Sequence, residues 1–118
     1  MINGVHALIY AKDAEKVRAF FRDILSFPSV DAGRGWLIFA LPPAELGIHP
    51  ADAAERHEFY LMCDDIAVTV EDLKGKGVEI TRPIEDERFG LVTAIKIPGG
   101  GELGLYQPKH PTALGLKS

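Results

Sequence analysis

The segment Glu45-Leu46-Gly47-Ile48-His49 returns almost letter for letter as Glu102-Leu103-Gly104-Leu105-Tyr106, and this internal echo constrains the fold more than any other feature of the chain. A repeated segment near the end of each half implies that one supersecondary unit has been used twice. The starts of the halves agree with the ends. His6 stands seven residues before Asp13, a helix-capping residue by type, and Glu58 stands seven residues before Asp65, which has the same character. The two opening segments can therefore be aligned, and so can the two closing ones.

The elements between these markers repeat as well. Gly4 to Tyr10 is apolar with β-branched and aromatic members and reads as a first strand. A helix capped by Asp13 follows, with Val17, Phe20, Phe21, Ile24 and Leu25 at three- and four-residue spacing, and Pro28 ends it. A segment from Ser29 to Ala32, a turn through Gly33-Arg34-Gly35 and the run Trp36 to Leu41 suggest a hairpin; Ala44 to His49 closes the first unit as a short strand. Pro50 to Arg56 reads as a linker. The second unit opens with a strand from His57 to Cys63, then a helix capped by Asp65 that carries Ile66, Val70 and Leu73 inward and stops at Gly77. Strands Val78 to Thr81, Leu91 to Ile97 and Glu102 to Gln107 complete it. The order β-α-β-β-β has occurred twice, giving an α+β chain with module one at about 1–50, module two at about 57–108 and a tail over 109–118. Gly47 and Gly104 are expected at equivalent places in the two halves.

With 118 residues, just under half of them apolar, the chain can build one core of ordinary size. A net charge of −4 with both signs interspersed argues against nucleic acid or an anionic membrane surface as partner. No run is long and apolar enough for a membrane span, and the N-terminus lacks the pattern of an export signal. The lone Cys63, beside Leu61 and Met62, suits a buried thiol, and a cytoplasmic setting is expected. No phosphate loop, nucleophile elbow, paired-cysteine motif or helical His-Glu-x-x-His is present. The charged stretch Glu85-Asp86-Glu87-Arg88 reads as solvated surface.

Three stretches carry a resemblance. They are Val5-His6-Ala7-Leu8-Ile9-Tyr10 before a capped helix with Phe20-Phe21, the lead-in Met62-Cys63-Asp64-Asp65-Ile66 to the second helix, and the closing Gly101-Glu102-Leu103-Gly104-Leu105-Tyr106-Gln107-Pro108. In this order they resemble the vicinal oxygen chelate superfamily, which includes glyoxalase I, bleomycin and fosfomycin resistance proteins and extradiol dioxygenases. The resemblance implies two βαβββ modules whose mixed sheet curves around a small-molecule cavity, and a homodimer. It also implies metal ligands on the first and last strands of each module. The first-strand ligand falls on His6, and its counterpart on Glu58. The last-strand ligand position holds Gly104, and its mate holds Gly47, so both expected carboxylates are replaced by glycine. Glu45 and Glu102 stand two residues earlier on the same strand face, roughly 6 to 7 Å away, and cannot simply substitute.

Two readings stand side by side. In the first, His6 and Glu58 hold a divalent ion such as zinc, nickel, manganese or iron, Glu102 or Glu45 acts as base, and the protein is a lyase, isomerase or dioxygenase. In the second, the same cavity, closed by tyrosines and Trp36, binds a small molecule without metal or chemistry, as a drug-sequestering protein does. His49, Tyr60 and Tyr106 are candidate ligand contacts in either case, and Tyr10 shares their strand parity. A third reading, an accessory protein whose dimer surface is its main product, is also open. Taken alone, His6 in an apolar strand is better explained as a hydrogen-bonded core histidine than as a ligand; Glu58 can be read as an edge carboxylate facing water, and Tyr60 and Tyr106 equally well as packing residues. His57 reads as a solvated strand end and His110 as part of an exposed tail.

Overall fold

The second half of the chain forms the β-α-β-β-β unit that its sequence calls for. The computed structural model describes residues 6–48, 50, 57–99, 101–114 and 116. Strand β3, Tyr60–Met62, is followed by helix α2, Ile66–Gly75, and by strands β4, Ile80–Asp86, β5, Gly90–Lys96, and β6, Glu102–Pro108. The sheet order is β3-β6-β5-β4, with β3 parallel to β6 and the remaining pairs antiparallel. This is a mixed sheet, and the architecture is α+β.

Helix α2 begins where Asp65 accepts a hydrogen bond from the Val68 amide at 3.2 Å. A second orphan amide, that of Ile66, donates to the Gln107 side chain on β6 at 2.8 Å, which ties the helix start to the sheet. The inward residues Ile66, Val70 and Leu73 are buried, and Gly77 at φ 82° takes the left-handed conformation that ends the helix. They meet Ile95, Leu103 and Leu105 from one face of the sheet.

The first half supplies helix α1, Ala14–Ala19, capped by Asp13, and a π-helical stretch, Phe20–Ile24, that continues it. Val17, Phe20 and Phe21 enter the same core as α2. Each fully buried side chain of this kind contributes about 1.5–3 kcal/mol relative to exposure. A short hairpin follows, with β1, Ser29–Asp31, antiparallel to β2, Leu37–Phe39. Its turn places Gly33, Arg34 and Gly35 at positive φ, and the Asp31 carboxylate accepts from the Gly33 and Gly35 amides.

Two expected strands are absent from the described residues. Residues 6–10, the described part of the Gly4 to Tyr10 strand, and residues 44–48, the described part of the Ala44 to His49 strand, lie outside any strand. Gly47 and Gly104 therefore occupy different kinds of element, contrary to expectation. Of the eight strands expected, six form among the described residues, and the four-stranded sheet stays open instead of curling around a cavity. The physical reason is pairing: a strand exists only through a neighbour's hydrogen bonds, and neither segment has one alongside it. Their apolar side chains stay exposed, with Tyr10 at 90%, Leu46 at 86% and Ile48 at 88%. Most of the 50–56 linker lies outside the described residues, as does His49. No helix among the described residues is long and apolar enough to cross a membrane.

Candidate functional site

Alternation along the strands gives the four-stranded sheet two unlike faces. Leu103 and Leu105 point to α2, so Glu102, Gly104 and Tyr106 point the other way, joined by Tyr60 of β3 opposite Gly104 and by Val92 of β5 opposite Tyr106. This second face carries the candidate site.

Glycine shapes its surface. A Cβ on Gly104 would stand 2.2 Å from Tyr60 Cδ1, and one on Gly90 would stand 2.6 Å from Tyr106 Cε1 and 2.5 Å from the Gln107 carbonyl oxygen. Each tyrosine ring thus lies down across the neighbouring strand in space that any other residue would fill. The rings meet with centroids 6.0 Å apart, and Tyr106 also meets Phe89 at 6.0 Å and His110 at 5.7 Å, all tilted. The Tyr60 hydroxyl donates to Glu58 Oε1 at 3.3 Å, and the Tyr106 hydroxyl donates to the Phe89 carbonyl at 3.0 Å. The result is a floor of aromatic rings, with Tyr60 itself 41% exposed.

Glu45 reaches this floor from the first half of the chain. Its Oε1 accepts the Ala113 amide at 2.8 Å and its Oε2 lies 3.8 Å from His110 Nε2, so it holds the chain after β6 against Tyr106. Partial burial, and then the negative charge of Glu45, hold the Tyr106 phenol above the ordinary tyrosine range. Behind the floor, burial pushes the Cys63 thiol up, against hydrogen bonds with Thr69 and the Tyr106 backbone. The thiol expected to be buried is half-buried.

Of the residues singled out in the sequence, Glu45, Glu58, Tyr60 and Tyr106 gather here. Glu102 stands at the other end of the same face, where Arg82 Nη2 lies 3.2 Å from its carboxylate. His6 belongs to the exposed segment 6–10, and His49 lies outside the described residues. His110 and Phe89 were missed. Neither belongs to the repeat, and nothing in a tail histidine or a loop phenylalanine signals that both fold onto Tyr106.

Among the described residues the donor set does not suit a metal ion. The position of the expected last-strand ligand is Gly104, covered by a tyrosine ring, and the nearby carboxylates of Glu45 and Glu102 are already engaged. Among the described residues no three His, Cys, Asp or Glu side chains come together in a metal-holding group. A concavity of about 300 Å³ lies elsewhere, beside the π-helical stretch, lined by Phe20, Ile24, Val78, Ile97 and Pro98, with Lys76 and Lys96. It includes none of the candidate residues.

Comparisons with known proteins agree on the fold. A family model described as Glyoxalase/Bleomycin resistance protein/Dioxygenase superfamily matches residues 5–104. Among solved structures, TnmS3, an antibiotic binding protein from Streptomyces sp. CB03234, is 21% identical with a TM-score of 0.66, over 92% of this chain and 98% of its own. A superfamily member from Sphaerobacter thermophilus DSM 20745 is 24% identical with a TM-score of 0.64, over 90% of this chain and 98% of its own. Lactoylglutathione lyase from Agrobacterium tumefaciens is 18% identical with a TM-score of 0.64, over 89% and 92%. No curated protein sequence matches the chain.

Proposed function

The chain belongs to the Glyoxalase/Bleomycin resistance protein/Dioxygenase superfamily, and from that premise we propose that it is a homodimeric protein that sequesters a small molecule on its aromatic sheet face without a metal ion. One observation carries the reading: at Gly104, where the resemblance calls for a metal-ligating carboxylate, the Tyr60 ring fills the space above the backbone. A ligand-binding surface has replaced the donor. The engagement of Glu102 by Arg82, and of Glu45 by the Ala113 amide, adds support, because neither carboxylate stands free to act as base. TnmS3, described as an antibiotic binding protein, is an instance of this fold used for binding. The exposed apolar segments 6–10 and 44–48 support a second copy as partner.

Metal titration tests the reading. A site filled to a hundred times its Kd adds about 2.7 kcal/mol, raising the melting temperature of a chain this size by on the order of 10 °C. Protein purified without an affinity tag is expected to hold no stoichiometric metal and to show no such rise with zinc, nickel, manganese or iron(II). One tightly held ion per chain, lost in both His6→Ala and Glu58→Ala, would overturn the proposal in favour of a metal-dependent enzyme.

A further inference from the structure

We infer that residues 109–113 form a strap that closes the Tyr106 end of this face, that the Glu45 carboxylate is its latch, and that a ligand gains the face when the latch lets go; the inference rests on the sequestering reading above and adds its gate. β6 ends at Pro108, and the Lys109 amide still donates to the Phe89 carbonyl oxygen at 2.9 Å, the same oxygen that accepts from the Tyr106 hydroxyl. The Lys109 ammonium pairs with Asp86. Up to this point the chain is fixed to the sheet. It then comes to lie against the floor: the His110 ring is 5.7 Å from the Tyr106 ring at an interplanar angle of 31°, with its Nδ1 2.8 Å from the Pro111 carbonyl oxygen. A ring in that position takes ground beside Tyr106 that a ligand would otherwise occupy.

Beyond Lys109 the hold is slight. Among the described residues, the hydrogen bonds and ion pairs between 110–114 and the body of the fold all run to Glu45: its Oε1 accepts the Ala113 amide at 2.8 Å, and its Oε2 lies 3.8 Å from His110 Nε2. Residues 110–114 are all exposed, so no side chain there is locked into the core. A segment held by one carboxylate and one ring contact belongs to the weakly held parts of a fold, from which lids are drawn. Glu45 is the exception in its own segment. Its side chain is 17% exposed, whereas Leu46 and Ile48 beside it stand in solvent. Because 44–48 lies outside any strand, the latch is carried on a length of chain that no sheet fixes, and it can withdraw without breaking a ladder. Both sides of the closure are thus movable, while the floor beneath them is held in a four-stranded sheet.

Three variants of the whole chain test the gate while leaving every ring in place. Ala113→Pro removes the amide that Glu45 accepts, Glu45→Ala removes the latch, and Glu45→Gln keeps an oxygen for the amide but not the charge beside His110. By NMR, the His110 ring protons of the wild-type protein are expected to be displaced by the ring current of Tyr106. In Ala113→Pro and Glu45→Ala they should move to the positions of a free histidine, and in Glu45→Gln most of the displacement should remain. Titration with 1-naphthol, followed by its fluorescence, is expected to give a Kd about tenfold lower for Ala113→Pro than for wild type, the ratio when about a tenth of the wild-type molecules stand open. Tyr106→Leu should abolish this binding, which assigns it to the floor. His110 signals unchanged by Ala113→Pro and Glu45→Ala would mean that Glu45 latches nothing, and equal affinities for 1-naphthol would mean that the strap covers nothing. Either result overturns the gate and leaves the sequestering reading standing. If 1-naphthol binds neither protein while both give an intact circular dichroism spectrum, the sequestering reading falls and the gate with it.

Discussion

At the scale of single residues, Gly104 explains more than any charged group, because what it lacks decides what the sheet can hold. Alanine there would put a methyl group 2.2 Å from Tyr60 Cδ1, so the ring must lift off the sheet. The expected cost of Gly104→Ala is about 1–3 kcal/mol, as for overpacking elsewhere, read from urea denaturation. In a Tyr60→Ala background the same change should cost much less, since the ring is gone. Equal costs in the two backgrounds would mean that Tyr60 does not lie across Gly104. The glycine itself was visible in the sequence as a departure from the metal pattern. Its consequence was not, because which ring covers a glycine depends on a cross-strand register that no local motif encodes.

Among the elements, α2 has the clearest causes. Asp65 and the stripe Ile66, Val70 and Leu73 were legible from residue type and spacing, and all do what those rules require. Asp65→Ala is expected to lower stability by about 1 kcal/mol, measured by chemical denaturation, and Asp65→Asn to restore most of it. A neutral result would assign the work of the cap to Gln107 alone. That second anchor could not be read in advance, since it joins residues 41 positions apart. The same limit explains the first half of the chain. Its helix residues Val17, Phe20 and Phe21 were read correctly as inward, yet the widening of the helix at Phe20–Ile24 has no periodic signature. The segments from Gly4 to Tyr10 and from Ala44 to His49 have the composition of strands, but composition does not supply a partner strand.

For the whole molecule the unpaired segments set the expectation. The accessible surface is 9311 Å², where a compact chain of this mass exposes about 6300 Å². The radius of gyration, 15.3 Å, likewise exceeds the value of about 13.5 Å for a compact chain of this length. The exposed Tyr10, Leu46, Ile48, Val30 and Trp36 are the kind of apolar surface that a second copy would cover. Light scattering at micromolar concentration is expected to give twice the 12.9 kDa chain mass. Leu46→Glu with Ile48→Glu should shift the population toward monomer and lower the melting temperature. A wild-type monomer at that concentration would refute the dimer.

The parallel pairing of β3 with β6 sets a timetable for synthesis. β6 lies between β3 and β5, so the sheet cannot close until the chain has been made as far as Pro108. On the ribosome, β3 waits for its neighbour through about 40 further residues, a delay of roughly 2–8 s at about 5–20 residues per second. Until then Leu61 and the half-buried Cys63 lack the β6 neighbour that packs beside them in the finished sheet.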